Sequence, residues 1–129
     1  MRALLLAPLM IAVVAGSGYA LIQMNGGDPH LREIVSAALT ALVATALAAL
    51  PLWMTRRSTQ YAVAQAGLVA TMLHLFIMVG APMATMLFGR LSQSFLYWLI
   101  PLYFATLIPI VLAATRAVRL APPEPTPKV

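Results

Sequence analysis

Few side chains here could do chemistry, and the most unusual sits where an ionisable group is costly. His74 lies about midway along an apolar stretch, Gly67 to Phe88 (GLVATMLHLFIMVGAPMATMLF). At that depth in a bilayer a charge costs on the order of 3 kcal/mol unless it is neutralised, paired or turned toward a polar cavity. A neutral imidazole is therefore expected. Two roles remain open for it: a station on a proton or ion path, or a neutral ring hydrogen-bonded across helices to Thr40, Thr45, Tyr103 or Thr106. The second is the simpler reading. The three acidic residues, Asp28, Glu33 and Glu124, all lie at or beyond the ends of apolar runs, so none can complete a relay or a metal site with His74.

The other candidates carry weaker signals. Gly80 and Pro82 mark a kink in the same stretch, because Pro82 cannot donate to the Met78 carbonyl; Pro101 and Pro109 do the same further on. Carbonyls freed in this way can bind ions in broken transporter helices, although neighbouring groups commonly satisfy them. Met72, Met78, Met83 and Met86 do not share one helical stripe and read as adaptable packing rather than copper ligands. Asp28 and His30 share a turn-rich loop with no third ligand nearby, which favours a solvated loop. Cysteine is absent, excluding thiolate catalysis, disulfides and cysteine-based metal sites. There is no Gly-rich phosphate loop, no Ser/His/Asp set and no pair of carboxylates. The expected catalytic, cofactor and metal sites are therefore none, and the chain is not expected to be an enzyme.

Composition says what must position these residues. Of 129 residues 62% are apolar and 9% charged, and the mean hydropathy is +0.92, too little polar surface to cover a soluble globule. The expected fold is all-α: an integral membrane protein of four transmembrane helices paired as hairpins by short loops. The expected spans are about 3–24, 34–54, 64–88 and 95–115, together forming one domain over 1–115. Residues 116–129 read as a Pro-rich cytoplasmic tail, disordered or extended. A competing reading of the start is a secretory signal peptide cut after Ala20; the apolar run continuing through Leu21 and Ile22 favours a retained span. In the second span, Ala37, Ala41, Thr45 and Ala49 recur every four residues and form a smooth helix-packing face, of the kind that lets helices approach closely in lipid.

The basic residues set orientation. Arg2, Arg56, Arg57, Arg116, Arg119 and Lys128 fall on one side of such a chain and only Arg32 and Arg90 on the other. The positive-inside rule then places both termini in the cytoplasm, most simply of a bacterial inner (plasma) membrane. With the charges serving as topology signals, the pI near 10.5 is no argument for nucleic acid.

Gly67-Leu68-Val69-Ala70-Thr71-Met72-Leu73-His74, followed by Phe95-Leu96-Tyr97-Trp98-Leu99 and Tyr103, with a basic loop between spans two and three, resembles the ATP synthase protein I family. Members often carry a charged residue early in the third span; His74 is the only counterpart here. The resemblance implies a small membrane protein associated with the F-type ATP synthase and with assembly of its c-subunit ring. The expectation is thus a non-enzymatic accessory or assembly protein, its partners the lipid bilayer and other membrane subunits such as ATP synthase c subunits, or a second copy as a homo-oligomer. The alternatives are a small transporter or channel subunit built on His74 and the proline-marked helices, and a structural subunit of another complex docking through the alanine face. Orientation is directly testable in a chain without native cysteine: Ser92→Cys should react with an impermeant maleimide added outside intact cells and Ser58→Cys should not, the reverse pattern inverting the topology.

Overall fold

The structure is a computed structural model that describes residues 2–89 and 93–127. Arg90, Ser92 and Lys128, which carry part of the topology reasoning, lie outside the described residues. The described residues form helices and no strands: a 3-10 turn, Arg2–Leu5, leads into α1 (Leu6–Met24), and the chain continues through α2 (Leu31–Met54), α3 (Gln60–Leu87) and α4 (Gln93–Leu120). All four helices are long and apolar enough to cross a membrane.

The helix ends obey local chemistry. At the end of α1, Gly26 takes φ +73°, a left-handed conformation open to glycine. Its N–H reaches Gln23 O at 3.1 Å while Gly27 N–H reaches Ile22 O at 3.0 Å, the paired bonds that satisfy last-turn carbonyls. His30, also at positive φ (+44°), turns the chain into α2, which starts at Leu31, earlier than the expected 34. Its backbone N–H is held by Asp28 Oδ1 at 3.1 Å.

At the other terminus α4 runs on to Leu120, so residues 116–120, expected in the tail, are helical. Residues 121–127 are not helical but do touch the bundle. Thr59 offers α3 no side-chain cap; instead Gln60 N–H donates to Pro122 O at 3.0 Å and Tyr61 N–H to Glu124 Oε1 at 3.3 Å. Two of the four orphan donors at that helix start are thereby satisfied by the tail.

Loops this short between long contacting helices force antiparallel neighbours. The cross-chain contacts agree. Ala3 clusters with Ala48, Leu52, Ala66, Ala70, Ile110 and Ala113 at one end of the bundle. Ile11, Ile34, Ala37, Ala41, Met78, Phe95, Trp98 and Leu99 cluster toward the other. Both described chain ends therefore lie at the same end. Inside, α4 is the most enclosed helix, and α1, which packs on α2 and α4 from outside, the least. Outward-facing Leu9, Val13, Leu39, Val43, Leu68, Phe76, Phe104 and Ile108 make the outer surface apolar, as lipid requires.

One contact fixes how α1 sits. A Cβ built at Gly18 would lie 2.5 Å from the Trp98 ring, whereas one at Gly16 meets nothing within 4 Å. The indole of α4 thus occupies the space that any larger residue at position 18 would need. Gly18→Leu should destabilise the bundle by about 1–3 kcal/mol, as overpacking does, while Gly16→Leu should stay within about 0.5 kcal/mol, as for surface sites. Thermal unfolding in detergent, with tryptophan emission read in a Trp53→Phe background so that it reports Trp98, separates the two.

Candidate functional site

His74 sits on the inward face of α3, one turn from Ala70 and Met78, and is completely buried. Helical spacing puts it there: Val63, Ala66, Gly67, Ala70, His74, Met78 and Pro82 recur at short helical intervals and make up the buried side of α3. Small residues on this side let α4 come close; at Gly67 a Cβ would meet the Ala114 Cβ at 3.1 Å.

Across that contact His74 Nε2 lies 2.9 Å from Thr106 Oγ1. Thr106, itself fully buried, also places its hydroxyl 2.8 Å from Leu102 O and 3.3 Å from Tyr103 O. A hydroxyl has one proton and carbonyls only accept, so donation to Leu102 O leaves Thr106 Oγ1 as the acceptor toward His74. The proton then belongs on Nε2. Nδ1 becomes a buried acceptor without a hydrogen-bond partner. Tyr103 stacks on the imidazole, ring centroids 5.4 Å apart and planes 22° from parallel, and Phe104 meets Tyr103 edge-on. Tyr103 thus covers one face of the imidazole.

Of the four hydrogen-bond partners open to His74 by sequence, Thr106 makes the bond and Tyr103 the ring contact. Thr40 and Thr45 instead donate to their own helix, to Ser36 O at 2.8 Å and Ala41 O at 2.7 Å. Beside the tyrosine, an apolar groove of about 350 Å³ opens between α3 and α4, lined among others by Met78, Pro82, Met83, Met86, Leu99 and Tyr103. Three of the four methionines thus share one groove; Met72 lies on another side of α3.

The residues read as kinks lie inside two long helices, Gly80 and Pro82 in α3 and Pro101 and Pro109 in α4. Pro82 and Pro109 are buried, Pro101 exposed. The small-residue face of α2 is inside the bundle, with Ala37 and Ala41 fully buried and Thr45 nearly so, while Ala49 is only half-buried. Ala44, Ala48 and Leu52, not singled out by the four-residue spacing, complete the buried line. Asp28 and His30 face one another at 3.9 Å in their exposed loop. Among the described residues no three His, Cys, Asp or Glu side chains gather as a metal site would require.

No protein-family model matches the chain, and neither a curated protein nor a solved structure does. The class that the fold defines is a small, four-helix integral membrane protein.

The His74–Thr106 pair generates a prediction about stability. Thr106→Val keeps the shape but strands Nε2, and should cost about 1–3 kcal/mol, or toward 1 kcal/mol if the membrane environment offers the freed group other partners. Thr106→Ser should cost much less. His74→Leu combined with Thr106→Val should cost less than the sum of the singles, since one interaction is lost in each; thermal unfolding of the four proteins in one detergent reads the coupling.

Proposed function

We propose that this chain is a non-enzymatic accessory or assembly protein of a membrane complex, seated in a bacterial inner membrane with both termini cytoplasmic. The observation that carries the reading is the His74–Thr106 pair: the one ionisable side chain in the interior among the described residues is engaged with a neighbouring helix and roofed by Tyr103. A histidine so held serves as a link between α3 and α4. Ala37, Ala41 and Thr45 of α2 are buried within the bundle, which supports the apolar outer faces of the helices as the surfaces that meet partners. The resemblance of residues 67–74 and 95–103 to the ATP synthase protein I family makes rotor-ring c subunits the first partner to test.

The unpartnered Nδ1 favours one other reading, a small transporter or channel subunit in which that nitrogen takes up a proton or ion. Two experiments divide the readings. Gentle detergent purification from native membranes, with mass spectrometry of what accompanies the protein, should recover ATP synthase membrane subunits if the assembly reading holds. Proteoliposomes holding the pure protein should then show no proton or cation flux above empty vesicles; a flux abolished by His74→Ala would replace the assembly reading with the transport one.

A further inference from the structure

A second groove between α3 and α4 lies nearer the end of the bundle that carries the described chain termini, and its character differs from the first. It encloses about 450 Å³ and is lined by Ala64, Gly67 and Thr71 of α3 and by Val111, Thr115 and Arg119 of α4, among others. Its walls are apolar in effect, because both threonines turn their hydroxyl protons onto their own helix, Thr71 to Gly67 O at 2.6 Å and Thr115 to Val111 O at 2.8 Å. At 1.5 Å per residue the helices line it for roughly 10 Å along their axes. A single cation, Arg119, stands at its end, in the last turn of α4, exposed and without an ion pair among the described residues. An apolar slot running along the membrane depth and closing on an unpaired arginine at helix-end level matches one shape of ligand, a hydrocarbon chain carrying an anion at its top.

We propose that this groove is a binding site for an anionic phospholipid, the acyl chain lying along Ala64, Gly67 and Thr71 and the phosphate pairing with Arg119. The guanidinium fork suits a phosphate because it offers parallel N–H donors. Arg116 lies one turn away on the same helix but does not line the groove, so it shares the general surface attraction and not the site. Glu124, held at the start of α3, is the competing anion at this end.

The test is native mass spectrometry of the full chain in a neutral detergent, given equal amounts of phosphatidylglycerol and phosphatidylcholine with the same acyl chains. Phosphatidylglycerol should be retained about five-fold over phosphatidylcholine, the preference expected for one basic residue near a lipid surface. Arg119→Gln should remove most of that preference, and Arg116→Gln, which takes away only general surface attraction, should lower it much less. Ala64→Leu with Thr115→Leu, both at exposed positions, should fill the slot and reduce retention of both lipids. Equal retention by the unaltered protein, or an Arg116→Gln effect as large as that of Arg119→Gln, would mean diffuse attraction and overturn the site. Undiminished lipid in the filled variant would overturn the placement of the chain. If the filled variant does not fold, the two arginine variants still decide.

Discussion

Lipid denies this fold the force that assembles soluble proteins. Outside the bundle the helices meet hydrocarbon as apolar as their own side chains, so moving a leucine from lipid to the interior gains little, and association depends on close packing and on polar links. The composition of the interior fits that constraint. Two of the three central helices bring small residues inward, Ala37, Ala41, Ala44 and Ala48 on α2 and Gly67 and Ala70 on α3, and against them α4 packs the larger Phe95, Leu99, Leu102 and Ile110. In a membrane this arrangement lets backbones approach, multiplying dispersion contacts that are individually small.

Against that background the His74–Thr106 bond has a particular role. Steric packing of small residues is tolerant of sliding, since one alanine resembles the next, and a smooth face specifies register weakly. A hydrogen bond between one residue of α3 and one of α4 is not tolerant: displaced by a turn, it leaves an imidazole N–H in hydrocarbon. Gly18 against Trp98 plays the corresponding part for α1 by shape, one missing Cβ admitting one indole. The bundle thus combines generic closeness with two specific pins, one polar and one steric.

Much of this is legible in the sequence and some is not, for identifiable reasons. The four spans and their hairpin order follow from apolar length and turn composition, and Thr106 is one of the few polar side chains that another span can offer His74. The four-residue spacing finds Ala37, Ala41 and Thr45 but drifts at Ala49. Four residues at 100° each overshoot a full turn by about 40°, so a strict four-residue step rotates off the buried side after a few turns. Alternating steps of three and four find Ala44 and Ala48. The Gly18–Trp98 contact joins residues far apart in the chain, and nothing local in either marks the other. Nor does composition reveal that the Pro-rich segment returns to α3. The need for it shows only in the structure, where the Thr59 side chain makes no cap and leaves a helix start wanting acceptors from elsewhere.

The return of the Pro-rich segment makes the two ends of the bundle unlike. At the end holding Arg2 and Leu120, the α3 start is bonded to Pro122 and Glu124, Arg56 lies over the Trp53 ring at 5.0 Å, and Ala3 is packed among α2, α3 and α4. Charge, aromatic anchor and chain terminus converge there, and the first two are of a kind that favours the headgroup level. The middle is held by the imidazole and the alanine face. A protein tied at one end and pinned at its centre, with an otherwise hydrocarbon exterior, has its outer helix faces free to meet other membrane helices without unpacking its own interior. On the assembly reading proposed above, a partner helix would meet those outer faces, gaining affinity in lipid chiefly from complementary shape.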